Sequence, residues 1–206
     1  METHEEKLAR VLRDRVEIVP YDPAWPSLFE EERQHLLASL PAGLIVSIEH
    51  FGSTSVPSLP SKPVIDMLVE VRDLEEARAH IAPVLEAQGY DYFWRPTHGD
   101  DTPPWYAWFI RRDAAGTRTH HIHMIGPGPL FAGHRDRLLF RDYLVIRPDL
   151  AAEYAALKQS IASAMTDRVA YTRAKGSFIE RVTAEAKRYF EQEQGDDQQQ
   201  QTTESV

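Results

Sequence analysis

The sequence predicts an α+β protein with one main domain, a mixed sheet of about five strands, flanking helices and a helical C-terminal third. Three observations carry that prediction. Runs of β-branched and aromatic residues recur five times between residues 44 and 125. Two helix-patterned segments accompany them, one before the first run and one after the second. Beyond Pro129 the pattern is helical only, as far as a polar tail.

Taken in order, Ser27–Leu40 reads as a helix, with Ser27 as N-cap and Glu30 as its capping-box partner. Leu44–His50 is β-branched and reads as a strand. A Gly-Ser-Thr-Ser turn follows, and Pro63–Val71 is the second strand. Asp73–Gln88 has helical spacing, with Asp73 at its start and Gly89 as a stop signal. Tyr90–Trp94, Trp105–Arg112 and Thr117–Ile125 read as three further strands. The turn residues Asp113–Gly116 join the last two into a hairpin. The loop 95–105 is long for a compact domain and suits a lid over a cleft. Three helical pieces follow: Phe131–Ile146, Pro148–Met165 and Tyr171–Gln192.

Domain limits follow from composition. Residues 1–15 form a loosely attached N-terminal segment, 16–190 the folded domain, and 191–206 a disordered acidic, Gln-rich tail. The tail holds five acids and no base, so the rest of the chain carries −4 of the net −9. That mild charge, without a basic stripe, argues against a dedicated nucleic-acid-binding module. The absence of Cys excludes a disulfide framework, a thiolate metal site and a Cys nucleophile. No apolar run is long enough to span a membrane, and the charged N-terminus does not read as a signal peptide. A cytoplasmic location is the expectation.

Chemistry concentrates in His50–Val71, HFGSTSVPSLPSKPVIDMLVEV. Gly52 permits close backbone approach, and Ser53, Thr54 and the turn N–H groups are candidate phosphate ligands. Asp66 lies in an otherwise apolar strand, and Glu70 shares its face with Leu68 between them. A carboxylate there is costly to bury without a partner, and a divalent metal is one. The alternative is that Asp66 fixes the Gly52–Thr54 loop and that Glu70 is a solvated rim residue. In THHIH, strand alternation puts His121 and His123 on one face and His120 on the other. His121 and His123 can join Asp66 in holding a metal such as Mg²⁺, Mn²⁺ or Zn²⁺, imidazoles favouring the borderline ions, or each can simply bond a neighbour. Lys62, Arg118 and Lys175 are candidate phosphate-binding cations. Arg141 reads more simply as a surface ion pair.

These residues carry a resemblance. VEIVPYDPAWPSLFEEE, IEHFGSTSVPSLPSKPVIDMLVEV, THHIHMIGP, FRDYLVIRPDLAAEYAALK and YTRAKGSFI, in that order within Val16–Phe190, resemble the GrpB family. The resemblance implies a nucleotidyltransferase-like fold of the superfamily related to DNA polymerase beta. Active members of that superfamily usually pair two acids two residues apart on this strand and add a third from a neighbouring strand. Here Leu68 stands at the second position, which leaves Glu70 or the histidine strand to replace it. The implied activity is metal-dependent nucleotidyl transfer from a nucleotide to a small-molecule acceptor, with Asp66 and Glu70 as catalytic acids. The alternative is a catalytically reduced nucleotide- or metabolite-binding or scaffold domain of the same fold. A third reading is a metal-dependent hydrolase or phosphotransferase built on the histidine strand. GrpB-like segments also occur fused to a dephospho-coenzyme A kinase, but this chain has no GxxxxGK[ST] phosphate loop.

Overall fold

The computed structural model describes residues 7, 10, 17–97, 101–164 and 168–204. The helix α1 (Trp25–Ser39) leads into β1 (Ile45–Phe51). A 3₁₀ turn over Ser53–Ser55 precedes β2 (Ile65–Val71). Two short helices follow, α2 (Leu74–His80) and α3 (Ala82–Ala87). Then come β3 (Asp91–Pro96), β4 (Trp105–Arg112) and β5 (Arg118–Ile125). The C-terminal third comprises α4 (Ala132–Ile146), α5 (Pro148–Ala164), α6 (Arg168–Ala174) and α7 (Gly176–Glu204).

Four local expectations change. The first helix begins two residues before Ser27, because Pro26 suits a first turn and leaves Ser27 inside the helix. Its entry is fixed instead by Asp22, whose Oδ1 accepts the Ala24 N–H at 2.9 Å. The helix expected over 73–88 is two helices, since Pro83 has no N–H with which to continue the first. Asp73 caps it as expected, accepting the N–H groups of Glu75 and Glu76 at 2.8 and 2.9 Å, worth about 1 kcal/mol. The helix expected over 171–192 is divided between α6 and α7. The tail is also helical as far as Glu204, where composition alone predicts disorder. Glu and Gln are good helix formers, and extending a packed helix incurs no new nucleation cost. Residues 191–195 of this extension are exposed.

Most of the N-terminal segment lies outside the described residues. Its two described members are both tied to the body: Lys7 to Glu86 at 3.0 Å and Arg10 to Asp91 at 2.6 Å. Of the suggested lid, residues 98–100 lie outside the described residues. Among the described residues, no helix is long and apolar enough to cross a membrane.

The strand order is β1-β2-β5-β4-β3. The β2–β5 ladder is parallel, and the other three are antiparallel. One face of the sheet is apolar. Met67, Val69, Phe109, Ile122 and Met124 are fully buried there beneath α1, α2 and α3, with Leu36, Ile81 and Leu85 from the helices. Each such side chain contributes about 1.5–3 kcal/mol by leaving water. A buried carboxylate under this layer, Glu32, is satisfied by the Tyr90 hydroxyl at 2.6 Å and by the Arg111 guanidinium.

The other face mixes apolar and polar residues. Phe51, Leu68, Phe93, Tyr106, Trp108 and Ile125 pack there with Phe131 ahead of α4. The helical third has its own core from α4, α5 and α7, and Val56 and Leu59 from the β1–β2 connection join it. The connection after β1 is therefore held between sheet and helices. Asp66, Glu70, His121 and His123 all lie on this second face, as strand alternation predicts.

Candidate active site

The register brings the candidate residues together. Asp66 on β2 is opposite Phe51 on one side and His121 on the other. His123 is the next residue along β5 on the same face, opposite Leu68. His121 Nδ1 stands 3.1 Å from Asp66 Oδ1. One ligand atom from each of Asp66, His121 and His123 lies within 4.8 Å of the other two.

Gly52 is what allows Asp66 to sit here. Its φ is +76°, and a Cβ on it would lie 2.6 Å from Asp66 Oδ2. The close approach at this glycine is made by the carboxylate across the strand pair. Asp66 keeps 29% of its side-chain exposure, so the carboxylate stays open to a ligand. Burial alone would raise its pKa, but the His121 hydrogen bond and the charges of His121, Lys62 and Lys175 outweigh it and hold the carboxyl below its ordinary value.

The tautomers follow from the partners. Arg118, itself 4% exposed, donates toward His121 Nε2 at 3.4 Å, so the ring proton belongs on Nδ1, facing Asp66. Arg137 of α4 lies 3.2 Å from His123 Nδ1, which must therefore accept. Burial, then the neighbouring Arg137, keeps His123 neutral, far below the ordinary histidine value. His50, at the end of β1, is likewise pushed down to about 4 by burial.

A second group of cations lies beyond the N-terminal end of β2. Lys62 and Lys175 flank the ring of Tyr171, with Nζ 5.1 and 4.6 Å from its centroid. Lys158 of α5 is 2% exposed, donates to the Pro60 carbonyl at 2.5 Å and lies 4.7 Å over the Tyr154 ring. Burial, with Lys175 and Lys62 nearby, pushes Lys158 down to about 7. Tyr154 in turn is hydrogen-bonded to Ser53 of the turn. Lys62, Lys175 and the Gly-Ser turn thus lie beside one carboxylate, with Lys158 close to both lysines, an arrangement suited to an anionic ligand.

Several candidates take other places. Glu70 is not at this site. Its carboxylate is gripped by Arg135 in a two-pronged pair at 2.9 and 3.0 Å, at the far end of β2 from Lys62. It lies four strand steps from Asp66, about 13 Å, too far to share a ligand. Thr54 is 1% exposed, donates to the Val64 carbonyl at 3.3 Å and accepts from His50 at 3.0 Å, so it locks the turn instead of facing a phosphate. Arg141 donates to the His50 carbonyl at 2.6 Å and pairs with Asp142 and Glu49, as the simpler reading expects.

Arg137 and Lys158 belong to the cleft but do not stand out as ligand groups in the sequence. The signal for Lys158 was its position. The buried residues of α5 are Leu150, Tyr154, Lys158 and Ile161, so a lysine occupies the helix's core stripe. Arg137 similarly falls one turn after the buried His134.

The depressed Lys158 gives a signed pH prediction. Below about 7 both folded and unfolded chains hold the proton, and the cost of the buried charge is full and constant. Between about 7 and the ordinary 10.5 the unfolded chain binds more protons, so stability rises with pH. Relative to Lys158→Met, the ligand-free wild type should gain up to about 1.4 kcal/mol per pH unit across that window. Urea unfolding of both proteins at pH 6, 8 and 9.5 checks it; parallel stability curves would show that Lys158 is not buried in its charged form.

The donor set fits one divalent cation once protons and cations move: His121 must shift its ring proton to Nε2 with Arg118 turned away, and Arg137 must leave His123 Nδ1 so that one nitrogen of that ring is free. The 3.1 Å between Asp66 Oδ1 and His121 Nδ1 is close to the roughly 3–3.4 Å between neighbouring ligands when each metal bond is about 2.0–2.1 Å. One carboxylate and two imidazoles suit a borderline ion as well as Mn²⁺. The flanking arginines and lysines oppose a bare cation and favour one that arrives with an anion.

Comparison with known proteins places this geometry. A family model described as GrpB protein matches residues 15–185. A UPF0157 protein of Pseudomonas aeruginosa is 39% identical over 178 residues, 84% of this chain and 68% of its own length. The UPF0157 protein YqkA of Bacillus subtilis is 37% identical over 178 residues, 85% of this chain; the chain spans about half, 48%, of that relative. A Mycolicibacterium paratuberculosis protein named dephospho-CoA kinase is 30% identical over 178 residues, 76% of this chain and 42% of its own length. The crystal structure of the conserved protein GrpB from Enterococcus faecalis aligns with a TM-score of 0.72 at 34% identity, covering 84% of this chain and 99% of that one.

Proposed function

The chain belongs to the GrpB family, and from that premise we propose that its cleft binds a nucleotide through its phosphates together with one divalent cation, and transfers the nucleotidyl group to a small-molecule acceptor. One observation carries the proposal. Asp66, His121 and His123 meet beside a Gly-Ser turn, with Lys62 and Lys175 acting on the carboxylate. Ser53, Lys62 and Lys175 lie where they can hold the outer phosphates, with Lys158 behind them. Arg118 orients His121 by donating to its Nε2. A cation on Asp66, His121 and His123, whether Mg²⁺, Mn²⁺ or Zn²⁺, would neutralise phosphate charge and lower the pKa of an attacking hydroxyl. In the transfer an acceptor oxygen bonds to the α-phosphorus, and the bond to the departing pyrophosphate breaks. A cytoplasmic location, without a membrane or a dedicated nucleic-acid partner, belongs to the same proposal.

Thermal melts test it. The protein is melted with ATP, GTP, CTP or UTP, each with Mg²⁺, Mn²⁺ or Zn²⁺, and with each metal alone. A ligand at a hundred times its dissociation constant adds about 2.7 kcal/mol of stability, a readily measured shift. A metal-dependent shift with one nucleotide is the expected result. No shift with any combination overturns the proposal.

A second reading, a binding domain without turnover, is favoured by Glu70. Arg135 holds that carboxylate away, and Asp66 is the one carboxylate in the cluster among the described residues. The relative named dephospho-CoA kinase is consistent with a phosphorylated nucleotide-like ligand under either reading. Pyrophosphate release separates the two. A nucleotide that shifts the melt but releases no pyrophosphate across a panel of alcohols, amines and acids supports binding alone.

A further inference from the structure

On the other side of the Asp66–His121 row from the lysines, the same sheet face carries a second group of cationic side chains. Leu68 is opposite His123, His123 opposite Trp108, and Trp108 opposite Phe93. One row further, Tyr106 is opposite Arg95. Moving along β2 away from Lys62, the order is therefore Asp66, then the His123–Trp108 row, then the Tyr106–Arg95 row.

This group is rich in donors and short of acceptors. The Arg95 guanidinium lies 4.9 Å from the Trp108 ring centroid and 5.8 Å from that of Tyr106. Among the described residues its only contacts are these ring faces, and no carboxylate pairs with it. Arg137 donates to His123 Nδ1, lies 5.5 Å over Phe51, and likewise has no carboxylate partner among the described residues. Burial pushes its pKa down, Tyr106 and Asp66 partly offset that, and Arg95 adds to it. Trp108 is 8% exposed, and its Nε1–H is buried with no hydrogen-bond partner among the described residues. The buried Arg137 guanidinium, only partly offset by Asp66, and the unsatisfied indole N–H are costly unless an acceptor arrives, while the exposed Arg95 adds positive charge without that cost. Nothing in the nucleotide reading uses them.

We propose that Arg95, Arg137 and Trp108 form a binding site for the oxyanionic head, carboxylate or phosphate, of a second small molecule. Arg137 and Arg95 present planar forks that match two oxygens of such a group, and Trp108 Nε1–H donates to one of them. The Tyr106 and Trp108 rings give the rest of the molecule an apolar wall. His123 and Asp66 stand between this site and the lysine cluster, so the head group would anchor an acceptor facing the nucleotide phosphates. That assignment to the acceptor rests on the nucleotidyl-transfer reading; the anion site does not.

The test reads Trp108 directly. The full chain, ¹⁵N-labelled, gives an indole N–H signal for each of its four tryptophans, and Trp108→Phe identifies the relevant one. Acetate, succinate and inorganic phosphate are titrated with no metal or nucleotide present. The Trp108 signal should move saturably with at least one of them. Carboxylates moving it at lower concentration than phosphate would identify an acid, and the reverse a phosphorylated compound. Arg95→Met and Arg137→Met should each weaken the response at least about tenfold, and Lys175→Met should leave it unchanged. Arg95 is exposed at a strand end, so its variant carries the test if Arg137→Met fails to fold. A Trp108 signal that no probe moves, or an equal loss in Lys175→Met, overturns the site. If nucleotides give no melting shift but Trp108 responds, the acceptor role falls and the anion site stands.

Discussion

Asp66→Asn is expected to abolish the metal-dependent melting shift and to weaken divalent-metal binding by at least about a hundredfold. Asn keeps the volume, and its oxygen can still accept from His121 Nδ1, so the fold should survive. What is lost is the one negative charge facing His121, Lys62 and Lys175. The stability cost should be about 1–3 kcal/mol, toward the lower end because the side chain is 29% exposed and solvent screens part of the charge. Isothermal titration with Mn²⁺, with and without the nucleotide selected by the melts, is the measurement. An Asn variant that melts lower yet keeps the metal-dependent shift would make Asp66 a structural residue.

Gly52→Ala is expected to damage both fold and site, and for two separable reasons. With φ +76° and ψ −171°, Gly52 occupies a region that is essentially closed to side-chain-bearing residues, at a cost of about 1–3 kcal/mol. The new methyl would also stand 2.6 Å from Asp66 Oδ2 and 3.1 Å from Asp66 Cβ, so the strand pair must part or the carboxylate must turn away. Relieving such overlap costs roughly another 1–3 kcal/mol. Chemical denaturation gives the total, and metal titration of whatever folded protein remains gives the second effect. The double variant Gly52→Ala/Asp66→Gly separates them, since removing the Asp66 side chain relieves the clash but not the backbone strain. If Gly52→Ala costs as much in the Asp66→Gly background as in the wild type, the close approach is not what this glycine permits.

The strands were legible because their signals are short-range. Alternation fixed which residues share a face, and Asp66, His121 and His123 were recoverable from β2 and β5 without knowing that these strands are neighbours. The family resemblance pointed to the GrpB family, to which the chain belongs, and the five-stranded mixed sheet with flanking helices is the architecture expected. Glu70 shows the limit. Sharing a face with Asp66 says nothing about distance along the strand, nor about Arg135, which comes from a helix 65 residues later. The breaks at Pro83 and between α6 and α7 are local, yet amphipathic spacing runs across them undisturbed. Arg137 and Lys158 were hidden for another reason. A cation on a helix surface is usually solvated, and only the packing of α4 and α5 against the sheet and turn places these two inside.

The parallel β2–β5 ladder has a consequence for how the protein opens. It is the seam between two antiparallel units, β1–β2 and β3–β4–β5, and parallel pairing is slightly weaker per residue. Asp66 and His121 stand on opposite sides of that seam, 55 residues apart in the chain. A ligand held by both therefore acts as a clasp across the sheet's own line of weakness. Amide hydrogen exchange along β2 and β5 should slow together when the cleft fills, while the outer strand β3 keeps its ligand-free rate. Occupancy would then be recorded in the solidity of the sheet's centre, well beyond the few side chains that touch the ligand.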